Sequence, residues 1–203
     1  FITKLGKDGT ETIWTVVTDA ASMQNISLSG NSVLGADIDL SRVSATNNWT
    51  PIGYSIGYSI GYFEGMFDGL GHTISNLHIN NSSIDNIGLF GQTYNVDKIA
   101  NINLTNVDIT GENNVGALVG TAIRTHIENV SSSGKVVGGF SVGGLVGYMT
   151  ESPVTLLKSH SSADVSGTDE SIGGLVGQLD NSAIRESYAT GDIIGGYNVG
   201  GLV

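Results

Sequence analysis

Cysteine is absent from the 203 residues, which excludes a disulfide framework and any thiolate metal centre. It also suits a chain that stays unfolded during export. There are only two prolines, and charged residues make up 13% of the chain, both low for a globular protein. Good helix-forming stretches are scarce. No apolar run approaches the length of a membrane-spanning helix, and no signal peptide opens the chain. The eight Lys and Arg are scattered from Lys4 to Arg185, and the net charge is -11. Without a basic stripe to neutralise phosphates, nucleic acid is excluded as a partner, and the same acidity disfavours a polybasic contact with membranes. HExxH, GxSxG, a P-loop, a GxGxxG opening a helix and a calcium-binding nonapeptide are all missing, so neither a catalytic residue nor a metal or cofactor is expected.

What is abundant is glycine, with 30 residues, set among Ser, Asn, Thr, Ile, Val and Leu. That mixture describes short strands joined by many tight turns. The glycines fall in a repeat: Gly88-Leu89-Phe90-Gly91, Ala117-Leu118-Val119-Gly120, Gly144-Leu145-Val146-Gly147, Gly174-Leu175-Val176-Gly177 and Gly201-Leu202-Val203. The leucines recur at intervals of 27 to 30 residues, and each block follows a β-branched residue: Ile87, Val115, Val142, Ile172 and Val199. The stretch Ile99–Gly111 matches Ile184–Gly195 once one residue is inserted. Since the last block breaks off, the chain is expected to be a segment of a longer protein.

A unit of this length with several short apolar runs is too short for a β-α-β crossover and lacks a helical period. It suits one three-sided coil of a parallel β-helix, each strand pairing with its equivalent one coil along. Small residues at the corners are expected to supply positive φ. A β-propeller or β-sandwich is the alternative, although propeller blades need longer units. In Val142-Gly143-Gly144-Leu145-Val146-Gly147, strict alternation sets Leu145 opposite Val142 and Val146. Either Leu145 faces outward or a glycine bulge resets the register. The domain organisation is one continuous elongated unit: less regular coils over residues 1–86 with an insertion at 54–62, then repeat coils over 87–203. Ile13–Val17 and Ala36–Leu40 read as strands, and Ala20–Leu28 as a short helical turn.

Gly-Gly-Leu-Val-Gly at this spacing resembles the GLUG repeat of bacterial surface proteins. The run from Phe63 through Phe67-Asp68-Gly69 to Leu77 resembles the segment opening such arrays, as do Leu34–Leu40 and Trp49-Thr50-Pro51-Ile52-Gly53. The order is similar to filamentous haemagglutinin-like exoproteins of two-partner secretion systems. The resemblance implies a right-handed parallel β-helix, secretion to the cell surface through an outer-membrane transporter partner, and an adhesin's role in attachment. It supplies no ligand-binding residues. Gly88, Leu89, Gly91, Leu118, Gly120, Gly144, Leu145, Gly147, Gly174, Leu175, Gly177 and Leu202 are structural repeat positions. Two departures stand out: Ala117 replaces a glycine, and Tyr54–Tyr62 separates two motifs that usually lie closer together.

Enzymes on β-helices need clustered carboxylates. Asp37 and Asp39 share one strand face and form the best candidate pair, against a plain reading as a solvated face opposite Ile38. Asp68, before Gly69, reads as a turn former. Asp108, Asp164 and Asp192 recur at similar repeat phases, with Lys135 at the corresponding place of the intervening unit. Such alternation reads as surface design, because a purely acidic ladder would repel itself. Of the four histidines, His72 is expected to make a structural hydrogen bond. Six Asn-x-Ser/Thr sequons occur, at Asn25, Asn48, Asn80, Asn81, Asn103 and Asn129, each a possible modification site.

Binding is expected in the departure from the repeat. In Tyr54-Ser-Ile-Gly-Tyr58-Ser-Ile-Gly-Tyr62 the large residues alternate with Ser or Gly, a period of two that gives a strand or hairpin one aromatic face. Trp49, Tyr54, Tyr58 and Tyr62 are candidate ligand-binding residues, an exposed aromatic surface for a glycan or protein receptor, or for another bacterial surface protein. The competing readings are a flap over the core, a purely structural stalk and, less favoured, a polysaccharide-processing enzyme.

Overall fold

The β-branched residues that precede the glycine-leucine blocks stack directly on one another. Val115 pairs with Val142, Val142 with Ile172 and Ile172 with Val199, all in parallel register. This computed structural model describes residues 2–3, 11–43, 48–54, 61–152 and 154–203. It is a parallel β-solenoid with a three-sided coil. One side is the ladder just given. The second pairs Phe90–Tyr94, Val119–Ile123, Val146–Thr150 and Val176–Leu179. The third is the long side, where Ile99–Thr110 and His126–Gly138 pair in parallel and continue into shorter strands of the next two coils.

Apolar ladders fill the interior. Ile99, Ile127 and Leu156 form one, with Ile184 next in register, and Ile109, Val136 and Val165 form another. All but Ile184 are essentially inaccessible. Like residues stacked at strand spacing fill space uniformly, so each coil buries its apolar face against its neighbours and not within itself. The inserted residue inferred from the sequence sits between Leu104 and Val107, where the register shifts opposite Ser132 and Gly134.

Leu145 points inward. Leu89, Leu118, Leu145 and Leu175 are each fully buried, beside the equally buried Val119, Val146 and Val176. Both residues of a Leu-Val pair face the core because the chain bends between them, turning from the first side of the coil to the second. The bend stays paired along the axis: the Leu118, Leu145 and Leu175 amides donate to the carbonyls of Leu145, Leu175 and Leu202.

The corners meet the expectation of small residues only in part. Among the described residues, positive φ falls at only three glycines, Gly53, Gly71 and Gly134. The left-handed corner residue before each block is instead Asn86, Asn114, Ser141, Ser171 and Asn198. Asparagine tolerates this region better than most residues. Its amide also ties coils together: Asn114 Nδ2 donates to Asn86 Oδ1 at 3.1 Å, and Asn129 Nδ2 to Asn101 Oδ1 at 2.8 Å. The block glycines serve close approach. A Cβ on Gly120 would lie 2.6 Å from the Cα of Asn86, and Gly147 and Gly177 meet the corner residues Asn114 and Ser141 in the same way.

The N-terminal coils use the same long side. Thr12–Val17 pairs with Asn31–Leu34, which pairs with Phe67–Asp68 and through it with Ile99–Thr110. Between the first two lies a helix, Ala20–Gln24, capped by Asp19. Ile38–Asp39 stacks on Thr73–Ser75. An aromatic cluster fills this end: Phe63 and Phe67 lie 4.8 and 5.5 Å from Phe90, ring centre to ring centre.

Candidate ligand-binding site

The chain on either side of the insertion lies along the second side of the coil. Ile52 bridges to Phe90 and Phe63 to Thr93, both in parallel sense. The Ile52 amide donates to Leu89 O, and the Gly91 amide to Ile52 O. Trp49, Tyr54 and Tyr62 are therefore held near the first repeat coil. Tyr58, with most of the insertion at 54–62, lies outside the described residues.

Trp49 is 2% exposed, and its indole N–H donates to the Leu89 carbonyl at 3.1 Å. The expectation of an exposed Trp49 is thus corrected: the ring packs into the core because its one polar group finds a buried acceptor. Tyr54 is half-buried and lines a cleft of about 170 Å³ together with Trp49 and Pro51. Tyr62 belongs to a separate group, its ring 5.5 Å from that of Tyr94. Arg124 lies over Tyr94 at 5.8 Å, donates to its hydroxyl at 3.1 Å and pairs with Glu151 at 2.9 Å. The fold thus splits the candidate tyrosines between two places. Tyr94, Arg124 and Glu151 escape a motif search because they meet only across coils. Their spacing, close to the repeat period, was the available signal.

The candidate carboxylate pair is engaged elsewhere. Asp37 Oδ1 accepts from the Thr73 amide at 2.8 Å and lies 3.0 Å from His72 Nδ1. Asp39 Oδ1 accepts from Asn76 Nδ2 at 2.8 Å and from the Ser41 amide at 2.9 Å. The Thr73 amide, followed by His72, holds Asp37 below the ordinary carboxylate value, and the Asn76 side chain followed by Ser41 does the same for Asp39. General acids need the opposite shift. Asp68 shapes a turn, accepting from the Leu70 amide at 2.9 Å and from Asn101 at 2.8 Å. The acidic repeat positions form a ladder along the axis. His78 sits against Asp108 at 3.1 Å, Lys135 stands in register with both Asp108 and Asp164, and the Asp192 amide donates to Asp164 at 3.1 Å. Among the described residues no three His, Cys, Asp or Glu converge to hold a metal ion. Among the described residues, the side-chain amides of the sequon residues Asn25 and Asn129 donate within the protein.

With this geometry in hand, comparisons with known proteins find the GLUG motif in part of the chain and its fold in a solved structure. The family model for the GLUG motif matches residues 111–137 and 168–194. The Leu145 block lies between those spans and keeps the same ladder register. The chain is similar to a stretch of halomucin from Haloquadratum walsbyi, 42% identical over 96 residues that make up 47% of this chain and 1% of halomucin. It is also 32% identical over 138 residues to an immunoglobulin A1 protease of Streptococcus pneumoniae serotype 4, covering 61% of this chain and 7% of that protein. An immunoglobulin A1 protease of Streptococcus sanguinis is similar to the same degree, 32% over 136 residues. Among solved structures, a presumptive immunoglobulin A1 protease from Bacteroides ovatus shares the fold, with a TM-score of 0.61 and 18% identity over 89% of this chain and 67% of that one. The chain thus spans a small fraction of its curated relatives. Among the described residues no helix is long and apolar enough to cross a membrane.

Proposed function

We propose that this chain is a segment of a secreted or surface-exposed bacterial adhesin. Its solenoid would hold a non-catalytic binding face for a host glycan or protein receptor, or for another surface protein. One observation carries the reading: the repeat residues are consumed by the scaffold, whereas Tyr54 and Tyr62, on either side of the insertion, belong to no repeat block and stay partly exposed. Similarity to segments of halomucin and the immunoglobulin A1 proteases supports a surface setting. Because the matched piece is a small part of those proteases, peptidase activity is not carried over to this chain. Export through an outer-membrane transporter partner, as in two-partner secretion, belongs to the same proposal.

The experiment is adhesion of labelled chain to host cells and to a glycan array, beside a variant with Tyr54, Tyr58 and Tyr62 changed to Ser. Saturable binding that the variant loses is expected. A chain that binds nothing would instead be a stalk, a reading favoured by the unbroken apolar interior from Val17 to Val176.

A further inference from the structure

We propose that the cleft beside the insertion binds one N-acetylhexosamine residue, an inference that rests on the attachment reading and names its ligand. At about 170 Å³ the cleft is well below the size of typical drug-binding pockets. It has room for a single pyranose unit and not for an oligosaccharide.

The lining selects the chemistry. Trp49, Pro51, Ile79, Ile84 and Ile87 give it apolar walls. Asn48, Thr50, Tyr54 and Asn81 complete it, with Asn48 Oδ1 already accepting from the Asn80 amide at 2.8 Å. The Thr50 and Tyr54 hydroxyls and Asn81 Nδ2 have no hydrogen-bond partner among the described residues; the Asn81 side chain uses only its oxygen, toward the Ser83 amide at 3.4 Å. None of the described lining residues is charged.

A purely apolar ligand would strip water from those three polar groups without replacing it, which is costly. An ionic ligand such as an acidic sugar would find no counter-charge. A neutral sugar meets both demands, since it has an apolar ring face for Tyr54 and hydroxyls for Thr50 and Tyr54. The acetamido group accounts for the rest. Its amide pairs with Asn81, and its methyl takes the place against Ile84, the partly exposed isoleucine of the lining.

The test is saturation-transfer NMR and calorimetry on the whole chain with N-acetylglucosamine, N-acetylgalactosamine and glucose, for wild type, Tyr54→Ser and Asn81→Ala. At least one acetamido sugar should bind, glucose on the order of tenfold more weakly, and each variant should lose on the order of tenfold in affinity with its melting temperature unchanged. If Tyr54→Ser does not fold, Tyr54→Phe removes only the hydroxyl and should still weaken binding. The proposal is overturned if neither acetamido sugar binds up to about 10 mM, if glucose binds equally well, or if the folded variants bind as wild type does. Cell adhesion separates this failure from failure of the attachment reading. A chain that adheres but binds no acetamido sugar sinks the cleft alone, and one that binds the sugar without adhering sinks attachment alone.

Discussion

Lys135 stands opposite Asp164 in the parallel ladder of the long side. On its other flank the same lysine faces Asp108, so one cation separates two carboxylates along the axis. Lys135→Glu would place like charges in adjacent rungs and should destabilise the chain by about 0.5–1 kcal/mol. Chemical denaturation should show that loss at low ionic strength and a smaller one in high salt, because exposed charges are screened. A loss that salt leaves unchanged would mean that packing of the lysine stem, not charge, is responsible.

Acid should loosen the N-terminal coils. Asp37 and Asp39 are held below the ordinary carboxylate value by Thr73 with His72 and by Asn76 with Ser41. A carboxylate with a depressed value in the folded state stabilises the fold above its unfolded value and ceases to do so as pH falls through the folded one. Melting temperature should therefore fall below about pH 4. In Asp37→Ala with Asp39→Ala that fall should be shallower, and equal acid slopes in the two proteins would refute the assignment.

Tyr148 donates its hydroxyl to Asp180 at 2.6 Å, and that bond raises the phenol above its ordinary value. Ultraviolet titration should show a late-ionising tyrosine that returns to the ordinary range in Asp180→Ala. The sign is opposite to that of the aspartates: this contribution is complete below the ordinary value near 10 and is lost as pH rises through the folded one.

The corner and the bend have separable costs. Leu145→Ala empties a fully buried site and should cost about 2–5 kcal/mol. At the corner, Asn114 has φ 53°. Asn114→Gly should lose little beyond the amide bond to Asn86, whereas Asn114→Val adds about 1–2 kcal/mol of backbone strain. Equal stability of the two corner variants in urea would show that the left-handed conformation is not what selects asparagine.

Much of the solenoid was legible in the sequence because stacking repeats chemistry at a fixed interval. Leu118, Leu145 and Leu175 mark the coils, Ile99 and Ile184 fall on one ladder, and the inserted residue is visible before its place is known. The site was less legible. Tyr54 and Tyr62 look like neighbours on one strand, yet they join different partners, Trp49 and Tyr94, that are distant from one another in the chain.

The sequence by itself determined the period, the parallel stacking and the charge alternation at Asp108, Lys135 and Asp164, since each depends only on which residue recurs one coil later. Only the tertiary structure decided that Leu145 faces inward, that asparagine and serine make the corners, and that Trp49 belongs to the core. Those outcomes depend on where the backbone bends and on which buried acceptor, such as the Leu89 carbonyl, lies within reach. A repeat period carries neither. The glycine-leucine block is thus scaffold, and the cleft beside Tyr54 is where binding is to be sought.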